Sequence, residues 1–320
     1  MSQSAAQFRR AIPPVATEAT WHAADGHAVR RIDWPGAAAE SGVRGAILFL
    51  AGRGDHYEKY LETLHGWHLK GWAVTALDWR GQAGSGRLGT DATTGHVDNF
   101  AHWIDDLDAF WPQWRAAHRG PHVAIGHSMG GHLTLRALEE KRIDPVAAVL
   151  VAPMLGFSGI QLPYWLMRGF ARWRAGMGDP RRPAWKWSER PGEFPAGRKA
   201  LLTHDAERYA DEGWWRQARP ELVMGPGSWG WLEQAVVSMQ RVMQTGALAG
   251  MEVPTLLLST KADRLVSPAA IRRAAKLLPK AELLEFGREA AHEILREADP
   301  VRERALAAID RFLAEKAPAW

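Results

Sequence analysis

Four short, nearly unbroken apolar runs stand out along the chain, at residues 45–50, 72–77, 147–152 and 254–259, with a fifth, 123–126, running into a serine. Runs of this length, apolar at successive positions, predict strands covered on both faces. Residues 281–286 make the last strand of the series. Between the runs the pattern shifts to helical spacing. Tyr60, Leu61, Leu64 and Trp67 predict a helix from Tyr57 to about Lys70, and Phe100, Trp103, Ile104, Leu107 and Trp111 predict one over Val97 to Trp114. Further helices are expected after the serine, over Ala269 to Leu278, and over Val301 to Lys316 with Leu306, Ile309 and Phe312 inward. Strands alternating with helices predict right-handed βαβ units and a mostly parallel sheet. Ahead of them, residues 17–34 read as a hairpin turning at Asp25-Gly26.

The alternation stops between Met154 and Gly250. This segment carries Pro163, Pro180, Pro183, Pro191, Pro195 and Pro220, eight tryptophans and many arginines, and no buried-strand run. The expected organisation is one α/β core in two parts, residues 1–153 and 251–320, with a helical cap of residues 154–250 inserted after the sixth strand.

Composition narrows the function. A net charge of +4 on 320 residues is too small for the basic stripe of a nucleic-acid binder. Cysteine is absent, which removes disulfides, thiolate metal sites and a cysteine nucleophile, and fits a reducing compartment. Met1 to Pro14 has Arg9 and Arg10 but no apolar stretch after them, so no signal peptide is expected, and no apolar run is long enough to span a bilayer. A cytoplasmic protein is therefore expected. Tryptophan is abundant, 17 against 4 tyrosines, and suits greasy clefts and membrane interfaces as well as cores.

The chemistry centres on Gly126-His127-Ser128-Met129-Gly130, placed between a predicted strand and a predicted helix. A serine at such a junction sits in a strained turn that needs small residues two before and two after it, and Gly126 and Gly130 supply them. A hydroxyl becomes a nucleophile only when a base takes its proton, and the base works when a third group holds it. Reactive groups of such a sheet lie on loops beyond the carboxyl ends of the strands. Two of those loops carry Asp263 and His292, so Ser128, Asp263 and His292 occur in the order nucleophile, acid, base. Glu285 and Glu293 are the rival acids. Two backbone N–H donors are needed for the oxyanion; those of Met129 and Arg53 are expected, with Gly52 and Gly54 letting the second loop approach the substrate.

These motifs resemble the lysophospholipase and monoacylglycerol-lipase branch of the α/β-hydrolases, which is grouped with the prolyl-aminopeptidase-like serine hydrolases. Residues 51–56, 78–85 and 126–131, with Asp263 and His292-Glu293, carry the resemblance, which covers roughly residues 20–315. Asp78-Trp79-Arg80-Gly81-Gln82 followed by Ser85-Gly86-Arg87 is most similar to the bacterial lysophospholipase L2 type. Ala51 and Gln82 stand where that branch carries histidines. The resemblance implies an α/β-hydrolase fold, no metal or organic cofactor, and hydrolysis of a single-chain lipid ester. A lysophospholipid is expected first, with a monoacylglycerol or a short ester as the alternative. A dehalogenase or epoxide hydrolase would carry aspartate at position 128, and a non-catalytic binding member would lack a triad residue.

Other residues have plainer readings. His127 is expected to point away from the serine and His56 to order the oxyanion loop, and Asp78 and Arg80 to form an ion pair or turn contacts. In the cap, Leu162, Leu166, Phe170 and Trp173 fall on one helical face, with Arg168 and Arg172 on another. Such a helix lies on an anionic membrane surface, roofs an acyl tunnel, or packs onto the core. Trp165, Leu166 and Phe170 are its expected substrate contacts, and peripheral attachment to the inner membrane face is the corresponding expectation.

Overall fold

The computed structural model describes residues 5–36, 44–160, 162–186, 196–244 and 246–319. Gln161, Pro191 and Pro195 lie outside them. The strands are β1 (Thr17–His22), β2 (Ala28–Trp34), β3 (Gly45–Leu50), β4 (Trp72–Leu77), β5 (His122–His127), β6 (Ala147–Val151), β7 (Thr255–Thr260) and β8 (Ala281–Phe286). They form one sheet in the order β1-β2-β4-β3-β5-β6-β7-β8. The hairpin pair β1–β2 and the β2–β4 junction are antiparallel; every other pairing is parallel. The continuous apolar runs are the reason. β3, β4, β6 and β7 are buried at every position and take the middle of the sheet, whereas β1 and β8, with partly exposed residues, take its edges.

The helices are α1 (Leu61–Leu69), α2 (Ala101–Ala117), α3 (Met129–Glu139), α4 (Tyr164–Gly176), α5 (Ala196–Leu202), α6 (Ala206–Ala218), α7 (Trp229–Val242), α8 (Pro268–Leu277) and α9 (Asp299–Lys316). Local chemistry sets their starts. Asp205 accepts from Arg208 N–H at the head of α6, Ser228 from Trp231 N–H at α7, and Ser267, followed by Pro268, from Ala270 N–H at α8. Two boundaries differ from the periodicity. The helix expected from Tyr57 opens as a 3-10 turn over Tyr57–Tyr60 before α1. The helix expected from Val97 begins at Ala101, because the Asn99 side chain accepts from Ala101 N–H at 2.8 Å and closes a turn there. Between β6 and β7 the described residues hold only helices α4 to α7, short turns and isolated bridges.

Helix α3 is the element that positions the site. Every residue from Met129 to Leu138 is buried, and its first turn lies directly on the carboxyl end of β3. A Cβ on Gly130 would come within 2.1 Å of the Leu50 carbonyl oxygen and 2.4 Å of that of Ala51. Both neighbours are backbone and cannot swing aside. Gly130→Ala is therefore expected to lower the unfolding free energy by at least about 2 kcal/mol, read as a lower urea midpoint with an unchanged slope. An unaltered midpoint would contradict this packing.

Candidate active site

Ser128 stands between β5 and α3 with φ 52° and ψ −117°, a left-handed backbone that a non-glycine residue adopts only under constraint. Three backbone hydrogen bonds hold it there. Ser128 N–H donates to the Val151 carbonyl at 2.9 Å, and its own carbonyl accepts from His132 N–H at 3.0 Å and Met154 N–H at 2.9 Å. A Cβ on Gly126 would lie 2.6 Å from both the Gly130 carbonyl oxygen and Thr134 Oγ1. Glycine is thus required on both sides of the turn for want of space.

His292, on the loop after β8, sits 2.9 Å from Ser128 Oγ through Nε2 and 2.7 Å from Asp263 Oδ2 through Nδ1. With the carboxylate ionised, Nδ1–H donates to it and Nε2 is left to accept the serine O–H. Asp263, on the loop after β7, is itself held by Leu265 N–H at 2.8 Å and Val266 N–H at 2.9 Å on its Oδ1. Burial pushes the Asp263 carboxyl up, but His292 and these two donors outweigh it and leave it below its ordinary value. Burial pulls His292 down, yet the Asp263 carboxylate, with Glu293 and Asp55 beyond it, raises its pKa above the usual histidine value. The rival acids are engaged elsewhere: Glu285 with Arg272 at 2.7 Å, and Glu293 with Lys59 at 2.5 Å and with Arg296.

The loop after β3 lies against the serine; a Cβ on Gly52 would be 3.1 Å from Ser128 Cβ. Gly52 N–H donates to Asp55 Oδ2 at 3.2 Å, and Gly54 N–H donates to Gln82 Oε1 at 2.7 Å. These bonds fix the two glycines on either side of Arg53. Its guanidinium lies 5.1 Å from the ring centres of both Trp185 and Trp231 and donates to the Gly225 carbonyl at 2.7 Å. Met129, whose N–H opens α3, is fully buried beneath the turn.

Ser128 and His292 open into a cavity of about 480 Å³. One wall is apolar, built from Met154, Phe157, Ile160, Trp185, Leu201 and Trp231. The other end is charged, with Asp55, Lys59, Arg198, Arg216 and Glu293 on its lining. Lys59 Nζ bridges Asp55 Oδ1 and Glu293 Oε1 at 2.5 Å each. Nothing in the motifs singled out Lys59; the one local signal was its spacing of four residues from Asp55 on a helical turn.

The match of a family model over residues 41–299 describes this chain as "Serine aminopeptidase, S33". The chain belongs to that family of hydrolases. It is 31% identical over 285 residues to lysophospholipase L2 of Escherichia coli (strain K12), covering 83% of this chain and 79% of that protein. In three dimensions it resembles a soluble variant of monoglyceride lipase from Saccharomyces cerevisiae (TM-score 0.73, 18% identity, 95% of this chain and 97% of the other). It also resembles a monoacylglycerol lipase of Paleococcus ferrophilus (TM-score 0.67, 22% identity, 89% and 98%). The family and these neighbours make the fold an α/β-hydrolase fold, as the motifs implied.

Several side chains lie where periodicity and local geometry did not put them. Trp165, Leu166 and Phe170 are off the cavity lining and exposed, at 66%, 41% and 55%. Helix α4 buries Ala171 and Ala175 instead and runs along α7, with Phe170 edge-on to Trp229 at 5.9 Å. Small residues allow the closer helix approach, so the bulky face turns outward. His127 does not point away: it lines the cavity, with its ring 4.9 Å from that of His292. His56 bonds Glu58 at 3.0 Å, and Asp55 and Gln82 order the glycine loop in its stead. Asp78 and Arg80 do not pair with each other, but Asp78 makes the turn contacts, accepting from Gly84 N–H at 3.3 Å on its carboxylate and from the Ser85 hydroxyl at 2.9 Å on its carbonyl. Buried Asp78 takes Arg30, while Arg80 reaches out to Asp106 and Asp25.

The two adjacent histidines should titrate oppositely. Burial and the neighbouring His292 push His127 down to about 4, whereas His292 is raised. Histidine NMR is expected to show His127 neutral from pH 5 to 8 and His292 protonating above its ordinary value. Asp263→Asn removes the charge that stabilises the imidazolium and should lower the His292 midpoint. An unmoved midpoint in that variant would contradict the pairing.

Proposed function

We propose that this protein is a serine carboxylic-ester hydrolase acting on single-chain lipids, a lysophospholipase first and a monoacylglycerol lipase as the alternative. The observation that carries the reading is the unbroken line Ser128–His292–Asp263 at 2.9 and 2.7 Å, opening on a cavity with one apolar wall. Similarity to lysophospholipase L2 supports an ester-hydrolysing enzyme and a lipid ester substrate.

In this mechanism Ser128 Oγ attacks the ester carbonyl carbon while His292 Nε2 takes its proton and Asp263 holds the imidazolium. Backbone N–H groups of Met129 and Arg53 receive the oxyanion. The C–O bond to the alcohol breaks as His292 returns the proton to it, leaving an acyl-Ser128. Water, deprotonated by His292, then releases the fatty acid and restores the serine. The apolar wall takes the acyl chain, with Gly52 leaving room beside the reacting carbonyl. An aminopeptidase reading is disfavoured by the charges. The two carboxylates on the lining, Asp55 and Glu293, both hold Lys59, so an incoming ammonium would meet a cation.

The functional units follow: residues 1–153 and 251–320 carry the machinery, and residues 154–250 act as a helical cap over it. Helix α4 gives that cap an interfacial face. Its exposed Trp165, Phe170 and Trp173 stand beside Arg168, Arg172 and Arg174, with no acidic residue in the helix, a composition suited to an anionic lipid surface. Among the described residues no helix is long and apolar enough to cross a membrane. Contact is therefore peripheral.

A fluorophosphonate probe should label the native protein and leave Ser128→Ala unlabelled; labelling that survives the substitution would sink the mechanism. Asp263→Asn should lower kcat by about 10⁴. Fatty-acid release should be measured from lysophosphatidylethanolamine, monoacylglycerol and p-nitrophenyl esters of graded length. Turnover confined to the short esters would refute the lipid assignment. In a vesicle sedimentation assay, a Trp165→Ser/Phe170→Ser double variant is expected to bind anionic vesicles at least about tenfold more weakly. Equal binding would remove α4 from the interface.

A further inference from the structure

The base and the loop that carries Arg53 come from strands that do not touch. His292 follows β8 and Arg53 follows β3, and β5, β6 and β7 lie between those two strands in the sheet. Four strand spacings put the roots of the loops about 19 Å apart, so both must lean over the carboxyl end of the sheet to meet at Ser128. Lys59 joins them there. Its side chain is 1% exposed, and Nζ stands 2.5 Å from Asp55 Oδ1 and 2.5 Å from Glu293 Oε1. Each carboxylate uses its other oxygen elsewhere. Asp55 Oδ2 accepts from Gly52 N–H at 3.2 Å and from the Tyr60 hydroxyl at 2.8 Å, and Glu293 Oε2 takes Arg296. Gly52 precedes Arg53 and Glu293 follows His292, so a displacement of the ammonium is passed to within one residue of each. Glu212 Oε2, 3.5 Å away, is the third carboxylate around Nζ. An ammonium has three N–H donors. Those of Lys59 are committed to three carboxylates of the protein, although the residue lines the cavity. Burial pulls the Lys59 pKa down, but these carboxylates outweigh it and hold it above the ordinary lysine value, so the side chain stays charged.

We propose that Lys59 is a positioning residue for acyl transfer, the tie that keeps Arg53 N–H and His292 Nε2 in register about Ser128. It touches neither the substrate nor the reacting atoms. As Ser128 Oγ attacks, its proton passes to His292 while negative charge forms on the carbonyl oxygen. Base and oxyanion donor must therefore be in place at the same moment, and a shift of about 1 Å in either costs about 10²-fold in rate. Without the ammonium, Asp55 and Glu293 face each other as like charges across the gap it filled, and the two loops are pushed apart. The assignment rests on the ester-hydrolase reading and adds to it a residue outside the triad and the glycine loop.

Two measurements test this. Lys59→Met keeps most of the apolar stem and removes the charge. On a p-nitrophenyl ester its kcat should fall at least about a hundredfold while KM changes less than about threefold. Arg136→Met, which breaks the pair with Glu140 at the end of α3, should cost stability and leave kcat within about threefold. The second measurement restores the charge chemically. The chain contains no cysteine, so Lys59→Cys can be alkylated at that one thiol. Bromoethylamine rebuilds a side chain of lysine's length and charge, and bromopropane builds its neutral counterpart. With complete modification verified by mass, the aminoethylated protein should exceed the propylated one in kcat by at least about tenfold. Equal kcat in those two forms, or native kcat in Lys59→Met, with Ser128→Ala inactive, would overturn the assignment and leave the hydrolase intact. A raised KM with unchanged kcat would make Lys59 a substrate-binding cation and refute the positioning role. Turnover surviving Ser128→Ala would overturn the hydrolase reading, and the assignment with it.

Discussion

The backbone of Ser128 carries the constraint on which the rest of the structure depends. Its left-handed conformation is sustained by hydrogen bonds to Val151, His132 and Met154, so the serine is tied at once to β6, to α3 and to the start of the segment that follows β6. The turn exists only because α3 presses onto the carbonyls of β3 without a side chain at Gly130. The same close approach brings the Gly52 loop against Ser128. Strain at one residue is thus stabilised by the packing of three central strands, and the hydroxyl is held 2.9 Å from His292 Nε2.

Around that fixed point the protein has arranged two kinds of surface. Met154, Phe157, Trp185 and Trp231 give the cavity an apolar lining suited to an acyl chain. Asp55, Lys59, Glu293, Arg296 and Glu212 form a buried ionic network beside His292. Burying such charges costs free energy that their mutual attraction offsets only with good geometry. Its return is positional. Glu293 is anchored one residue from His292, and Asp55 anchors Gly52, so a single lysine links the histidine loop with the loop after β3. Arg53 makes a parallel link, from that loop to Trp185, Trp231 and Gly225 between β6 and β7.

How much of this was legible in the chain depended on whether the information was local. Continuous apolar runs located every central strand, and the elbow with its two downstream loops located Ser128, Asp263 and His292, because each is announced by its own neighbours in sequence. Helix α4 shows where local information stops. Periodicity found the face carrying Leu166, Phe170 and Trp173 (Leu162, expected on it, precedes the helix), yet a face has no sign. Whether it turns inward was decided by Ala171 and Ala175, which let the helix lie close to α7. The cavity wall was illegible for a related reason: its residues come from separate loops and helices between Arg53 and Glu293 and share no period. Lys59, beside Glu58 on a polar-looking turn, reads as a solvated residue until α6 and the histidine loop close over it. Gln82, an apparent loss relative to the family's histidine, holds Gly54 N–H.

The central claim is that an acyl group passes through Ser128. Rapid mixing of the native protein with a lysophospholipid, acid quenching within the first turnover, and intact-mass and peptide analysis test it most directly. The account predicts a mass increase equal to the substrate's acyl group, on the peptide containing Ser128. Substrate hydrolysed with no such adduct at any quench time, or an adduct on another residue, would contradict it.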